Sequence, residues 1–144
     1  MIGVQATGKS SFYAQRFLSS HLRLNMDMLK TRHREKILLE AFIEGKVPFV
    51  VDNTNPTPEE RARYIRPCKE AGFRIVGFYF SSSLSDAMRR NAEREGKSRI
   101  PDAGVRGTYS RLKLPGWTEG FDELYYVKLD DNDGFVVEEW NDEV

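Results

Sequence analysis

The sequence predicts an α/β domain with a mainly parallel sheet, and three observations support this fold class. Segments with helical periodicity alternate with short apolar segments that are typical of buried strands. A length of 144 residues suits one domain with a substantial core. The hydrophobic fraction of 40%, which does not count the 11 glycines, is close to that of folded globular proteins. We therefore expect one folded domain that spans residues 1–144.

Hydropathy patterning predicts two helices and two strands in the first half of the chain. They are a helix that reaches about Ser20, a short strand at 22–25, a helix from about Met28 to Glu44, and a strand from Val47 to Asp52. Apolar side chains recur at helical spacing in the first helix, and a glycine follows the second helix. The second strand is almost entirely apolar, as expected of a strand that is covered on both faces.

The second half continues the alternation and ends in a hairpin. The expected elements are a helix that opens at Pro56 to Pro58 and ends at Gly72, a strand at 73–80, a helix at 83–95, a polar loop at 96–102, a weaker helix near 102–112, and hairpin strands at 125–129 and 135–140. Prolines and acidic residues are typical of a helix start, and glycine is typical of a helix end. The Asp133-Gly134 pair is typical of a tight hairpin turn.

The segment from Gly3 to Ser10 matches the phosphate-binding pattern G-x-x-x-x-G-K-[ST] without a mismatch. Its glycines allow the backbone to turn so that successive N–H groups point at phosphate oxygens in front of a helix start. In this pattern Lys9 binds the β- and γ-phosphates, and the hydroxyl of Ser10 binds Mg²⁺. The alternative is a glycine-rich turn before an ordinary helix. The predicted ATP-binding residues are Gly3, Gln5, Ala6, Thr7, Gly8, Lys9, Ser10 and Ser11, with Arg90 and Arg94 from a later segment.

Two carboxylates follow predicted strands, at the sheet edge where open α/β sheets bind ligands. Asp27 is a candidate general base that takes the proton of an attacking hydroxyl, or it is the N-cap of the next helix. Asp52 is a candidate ligand of Mg²⁺, usually through water, or it forms an Asx turn before Pro56. The sequence has one cysteine and two histidines, so a metal ion is expected to have oxygen ligands.

Arg90 and Arg94 lie four residues apart in a predicted helix, and a glycine-containing loop follows them. Two guanidinium groups aimed at phosphates neutralise charge in a transition state, and such a loop can close over a ligand. This predicts a lid at about 90–102. The alternative is a solvent-exposed basic helix in which Glu93 and Glu95 are the partners of the arginines.

Charge is distributed unevenly along the chain although the net charge is zero. Residues 61–113 carry 13 basic and 5 acidic side chains, whereas residues 114–144 carry 1 and 10. The basic segment suits an anionic ligand such as a nucleotide, or the acidic segment folds back and neutralises it. No apolar run is long enough to cross a membrane and no signal peptide is recognisable, so we expect a cytoplasmic protein.

Several segments together resemble the kinase half of polynucleotide kinase-phosphatases and the related bacterial P-loop kinases described as AAA-type ATP-binding proteins. These segments are GVQATGKSSFYAQRF, the strand followed by Asp27, VVDNTNPTPEERARYI, RNAERE and GTYSRLKLPGWTEGFDEL, and the resemblance spans nearly the whole chain. It implies a P-loop NTPase three-layer sandwich with a parallel sheet in the adenylate-kinase-like order 2-3-1-4-5. Because only Met1 and Ile2 precede the P-loop, we expect the first strand to be truncated.

The resemblance also implies ATP-dependent phosphorylation of a hydroxyl, in the best-known members the 5′-hydroxyl of a nucleic acid. Lys9 and Ser10 match the P-loop pair, and Asp27 matches the general base. Arg90 and Arg94 match the arginine pair R-x-x-x-R of the lid.

Three further residues are the candidate acceptor-binding residues, namely Lys30, Asn53 and Arg99. Lys30 stands where a member of the family has an acceptor-binding arginine. A lysine cannot make the bidentate contact that an arginine makes to a phosphate. The alternatives to a polynucleotide acceptor are a small molecule (a nucleoside, a sugar or an antibiotic) and a nucleotide-binding regulator without turnover.

Overall fold

A computed structural model describes residues 1–81, 83–132 and 134–142. Helices and strands alternate along this part of the chain, so the predicted α/β class is confirmed. In chain order the elements are α1 (Lys9–Arg16), β1 (Leu22–Leu24), α2 (Met26–Leu29), α3 (Arg32–Glu44), β2 (Phe49–Val51), α4 (Pro58–Glu70), β3 (Val76–Phe80), α5 (Leu84–Ala92), α6 (Asp102–Arg111), β4 (Glu123–Leu129) and β5 (Phe135–Glu139), with 3₁₀ turns at Gly96–Ser98 and Trp117–Glu119.

The strands form two hydrogen-bonded groups. In the first group β1 pairs with β2 in parallel, and in the second β3 pairs with β4 in parallel and β4 pairs with β5 antiparallel. The registers place Leu22 opposite Phe49, Val76 opposite Glu123, and Tyr125 opposite Glu139. The expectation of mainly parallel pairing and of a terminal hairpin is therefore confirmed. Asp133 of the predicted hairpin turn lies outside the described residues.

The segment at residues 1–3 joins the two groups. The N–H of Ile2 donates to the carbonyl of Phe78 (2.8 Å), and the amino group of Met1 donates to the carbonyl of Val51 (3.0 Å). A continuous sheet in the order 2-3-1-4-5 was expected, whereas the structure has two groups that are joined through this short segment. The full strand order stays a prediction.

A cavity of about 460 Å³ is lined by residues of both strand groups, including Val51 of β2 and Phe78 of β3. Met1 and Ile2 lie at the same cavity, and most of its lining is apolar. The lining includes none of the residues 3–10. The P-loop therefore lies outside the lining of this cavity.

Three apolar clusters form the core of the described residues. One packs α1 against β3 and β4, a second packs α3 and α4 against β1, and a third packs the P-loop against α5 and α6. Their deeply buried members include Phe12, Phe80 and Val127 in the first cluster, Leu24 and Phe42 in the second, and Val4, Ala87 and Val105 in the third. The P-loop and the helix that it opens are thus held by two of the three clusters.

The predicted helix from Met28 to Glu44 is wrong, because two helices, α2 and α3, replace it. Lys30 lies between them with φ 72° and ψ −34°, a conformation that an α-helix does not contain. Thr31 then caps α3, since its hydroxyl accepts a hydrogen bond from the N–H of Arg34 (3.2 Å). As a result, Asp27 lies in a separate helix of 4 residues.

Two other helix ends differ from the prediction. Helix α1 ends at Arg16, before the expected Ser20, and α5 ends at Ala92 rather than at residue 95. The side chain of Asn91 explains the second difference, because it accepts from the N–H of Ile100 (3.0 Å) and donates to the carbonyl of Ile100 (2.6 Å). These two bonds hold the chain after α5 folded back against the helix.

We expect Asn91→Ala to unfold this connection locally. Asn91 is completely buried, and its loss leaves the N–H and the carbonyl of Ile100 without their partners. The free energy of unfolding should fall by about 2–4 kcal/mol in urea titrations, and amides at 94–100 should exchange faster with deuterium. Asn132→Ala, at an exposed position, is the control. An effect of Asn91→Ala no larger than that of the control would contradict this interpretation.

Candidate active site

The backbone of the P-loop surrounds the side chain of Lys9. Its ammonium nitrogen donates to the carbonyls of Gly3 (2.9 Å) and Val4 (2.6 Å), and the residue is 8% exposed. Burial lowers the pKa of Lys9 to about 8, while the charge of Asp52 raises it in part. An ammonium group has three donors, so one donor remains for a ligand.

Gly8 begins α1 in a left-handed conformation (φ 92°). A Cβ atom at this position would lie 2.9 Å from Cε1 of Phe135, closer than real Cβ contacts. Strand β5 therefore lies directly against the P-loop, and glycine at residue 8 is required both by the backbone angle and by this contact. Gly3 is similarly close to Phe80 of β3, with Cβ and O of Phe80 at 3.0 Å from the added atom.

The carboxylate of Asp52 lies at the end of β2 and is 3% exposed. Ser10 donates its hydroxyl hydrogen to Oδ2 of Asp52 (2.8 Å), and the guanidinium group of Arg23 binds the same oxygen through Nε (2.8 Å) and Nη2 (2.7 Å). Nη2 of Arg23 also donates to Oγ of Ser10 (3.1 Å). The three side chains form a compact cluster. The metal-site interpretation of Asp52 stays a prediction.

Ser10 and Asp52 offer hard oxygen donors, which suit Mg²⁺. The described residues contain no group of three or more His, Cys, Asp or Glu side chains that could hold an ion by themselves. These two residues therefore fit a magnesium ion whose other ligands are nucleotide phosphates and water.

The interpretation of Asp27 as a helix cap is wrong, because Asn25 caps α2. Oδ1 of Asn25 accepts from the N–H of Met28 (3.1 Å), and its Nδ2 donates to the backbone carbonyl of Asp52 (2.6 Å). Asp27 lies in the first turn of α2 and is exposed. In the described part of the chain its carboxylate has no hydrogen bond or ion pair, and its negative charge raises the pKa of Lys9. This carboxylate is therefore accessible from solvent.

Asn53, a predicted acceptor-binding residue, uses its amide within the protein. Its Oδ1 accepts from the N–H of Met26 at the start of α2 (3.0 Å), and its Nδ2 donates to the hydroxyl of Tyr64 (3.2 Å). This geometry favours a positioning role for Asn53. The other two candidates, Lys30 and Arg99, are exposed.

The side chain of Asn53 is hydrogen-bonded to a buried network, through Tyr64, that the sequence did not indicate. Glu35 is 2% exposed and accepts from the hydroxyl of Tyr64 (2.9 Å) and from Arg32 (2.8 Å). Burial and the bond to Glu35 raise the pKa of the Tyr64 hydroxyl. The spacing of Arg32 and Glu35 on one helix was a weak signal, whereas Tyr64 on α4 is brought to them only by the fold.

Arg90 and Arg94 do not share a helix, since α5 ends at Ala92. Arg90 is half-buried on α5, and Nη1 of Arg94 donates to the carbonyl of Ser98 in the predicted lid (3.3 Å). The charge of Arg94 lowers the pKa of Lys9, so this guanidinium acts on the P-loop. Glu93 lies near Arg89 (3.9 Å).

Comparison with known proteins agrees with this arrangement. A family model described as "AAA domain" matches residues 1–115. A curated relative is the bifunctional polynucleotide phosphatase/kinase of Schizosaccharomyces pombe, which is 30% identical over a region that covers 88% of this chain and 32% of that protein. Among solved structures, a gluconokinase from Sinorhizobium meliloti 1021 superposes with a TM-score of 0.60 at 19% identity, covering 88% of this chain and 79% of the other.

The chain belongs to this AAA-type family of kinase-like P-loop domains. It resembles the kinase of the polynucleotide phosphatase/kinase relative, as the sequence motifs indicated. The chain spans about a third of the length of that relative, and the gluconokinase supports the fold alone. No helix in the described part of the chain is both long and apolar enough to cross a membrane.

We expect Asn53→Ala to loosen α2 in the absence of any ligand. It removes the acceptor of the Met26 N–H, so the free energy of unfolding should fall by about 1–3 kcal/mol, with faster deuterium exchange at 26–29. Asn53→Asp keeps an oxygen for the Met26 N–H and should retain most of that protection. If Asn53→Ala leaves both the free energy of unfolding and the deuterium exchange at 26–29 unchanged in the ligand-free protein, the amide does not position α2.

Proposed function

We propose that residues 1–144 form a single kinase domain that transfers the γ-phosphoryl group of ATP to a hydroxyl acceptor. The observation that carries the proposal is the combination of a buried P-loop cation, Lys9, with the exposed carboxylate of Asp27, whose charge acts on it. Such a pair holds a phosphate and accepts a proton within one site. Membership of a kinase-like family supports the same reaction class.

ATP would bind with its phosphates on the N–H groups of the P-loop and at the start of α1. Lys9 is already fixed by two carbonyls and directs its remaining donor to the β- and γ-phosphates. Ser10 and Asp52 are the residues that would hold Mg²⁺. A bound magnesium ion neutralises phosphate charge.

In the transfer step, Asp27 takes the proton of the acceptor hydroxyl as its oxygen forms a bond to the γ-phosphorus. The bond between this phosphorus and the bridging oxygen breaks, and ADP leaves. Arg90 and Arg94, at the start of a lid over about 90–102, neutralise the charge that spreads over the transferring group. The influence of Arg94 on the pKa of Lys9 supports this placement.

A nucleic acid 5′-hydroxyl is the first candidate acceptor. The name of the curated relative describes a kinase acting on polynucleotides, and the basic segment 61–113 of this chain suits a polyanion. The exposed Lys30 and Arg99 are the candidate acceptor contacts, and Asn53 positions α2. The lysine at residue 30, in place of an arginine, favours a small-molecule hydroxyl as the second candidate.

We predict that Asp27→Asn lowers kcat by about 10²–10⁴-fold while the affinity for ATP stays nearly unchanged, because asparagine cannot take the proton. Because Asn25 supplies the cap, the substitution should cost α2 only the small stabilisation that a negative charge gives in a first turn. The measurements are steady-state kinetics and calorimetric titration with ATP, and Lys9→Ala is the control that should lose ATP binding. Turnover close to wild type in Asp27→Asn would exclude the role as general base.

The acceptor is identified by assaying ADP release with 5′-hydroxyl DNA and RNA oligomers and with a panel of nucleosides and sugars. A nucleic acid acceptor should bind much more weakly at about 200 mM than at about 50 mM salt, because binding releases counterions. A small neutral acceptor should show little salt dependence. Binding of ATP without acceptor-dependent ADP release, for every acceptor tested, would instead favour a regulator without turnover.

A further inference from the structure

Arg23 lies between the two side chains that are the candidate magnesium ligands. Its Nε and Nη2 bind Oδ2 of Asp52 at 2.8 and 2.7 Å, and its Nη2 binds Oγ of Ser10 at 3.1 Å. One guanidinium group therefore contacts both oxygen atoms that a metal ion would use. No motif in the sequence singles out this arginine.

The position of Arg23 is supported from two further sides. Its guanidinium carbon is 5.9 Å from the centre of the Tyr13 ring on α1, and its Nη1 is 3.2 Å from Sδ of Met28 on α2. The side chain is 28% exposed, so it has a route into solvent. The contact with Met28 shows that the group also reaches α2.

A buried carboxylate needs a compensating positive charge, and Arg23 supplies it to Asp52. A divalent cation held by Oγ of Ser10 and by Asp52, directly or through water, would lie very close to the Arg23 guanidinium group, and the two positive charges would repel each other strongly. Binding of the metal therefore requires the ion pair between Arg23 and Asp52 to open.

We propose that Arg23 supplies the positive charge at Asp52 and Ser10 when no nucleotide is bound, and that it must leave both residues before Mg²⁺ binds there with ATP. This inference rests on the proposed ATP site. Two consequences follow. The free protein binds a divalent metal poorly, and ATP without metal still binds, because Arg23 provides positive charge beside the P-loop.

The first test measures binding of Mn²⁺, a paramagnetic substitute for Mg²⁺, by electron paramagnetic resonance without nucleotide. Wild type should bind Mn²⁺ at least about tenfold more weakly than Arg23→Gln, in which Ser10 and Asp52 are released. The control is Arg74→Gln, which breaks an ion pair with Glu123 (2.6 Å) outside the site and should behave as wild type. Equal Mn²⁺ affinity in wild type and Arg23→Gln, whether both are tight or both undetectable, overturns the proposal.

The second test compares calorimetric ATP affinities with excess Mg²⁺ and with EDTA. The ratio in question is the dissociation constant with EDTA divided by the dissociation constant with Mg²⁺. It should be at least about tenfold larger in Arg23→Gln than in wild type and Arg74→Gln, because the variant lacks the positive charge that Arg23 provides when no metal is present. An unchanged ratio contradicts the proposal.

Circular dichroism checks that Arg23→Gln is folded. If the variant is unfolded, Mn²⁺ binding to wild type is measured without and with ATP. A micromolar dissociation constant for Mn²⁺ without nucleotide would overturn the proposal. An Mn²⁺ affinity that rises at least about tenfold with ATP would support it. If wild type binds no ATP under either condition, the proposed kinase function fails, and the Mn²⁺ comparison without nucleotide still tests the role of Arg23.

Discussion

The buried carboxylate of Asp52 is the constraint on which the rest of the candidate site depends. A carboxylate that is 3% exposed must be compensated by donors or by a cation, and three elements of the fold meet at this residue. Ser10 reaches it from the P-loop helix, and Arg23 reaches it from β1. Asn25 donates to its backbone carbonyl and at the same time caps α2. Asp52 therefore links the helix that carries Asp27 to the P-loop.

Electrostatic interactions also link charged side chains from different parts of the chain to Lys9. Lys9 is buried and its pKa is lowered to about 8, with burial as the main cause. Asp52, Arg94 and Asp27, which come from three different parts of the chain, all act on this pKa. A triphosphate placed on the P-loop would meet these charges together. This convergence is what makes phosphoryl transfer, rather than nucleotide binding alone, the function that we propose.

Local chemistry explains what the sequence could predict. The P-loop, the alternation of helices and strands and the terminal hairpin each follow from a short pattern, and each is in the structure. The helix break at Lys30 was missed, although Thr31 is a good N-cap, because no glycine or proline lies between Met28 and Glu44 to mark it. The roles of Arg23 and Asn91 depend on partners that are 29 and 9 residues away, and no spacing rule predicts such pairs. Asn53 was predicted near the acceptor, and only the fold shows that its amide is used by α2 and Tyr64.

The most direct measurement is a crystal structure of the chain with a non-hydrolysable ATP analogue and Mg²⁺. We expect phosphates on the N–H groups of the P-loop, a metal ion in contact with Oγ of Ser10 and close to Asp52, and the guanidinium of Arg23 displaced from both. We also expect the carboxylate of Asp27 to face the γ-phosphate across a gap that fits a hydroxyl. A nucleotide bound elsewhere would exclude the proposed ATP site, and a bound metal with the Arg23–Asp52 ion pair still intact would exclude the proposed displacement of Arg23.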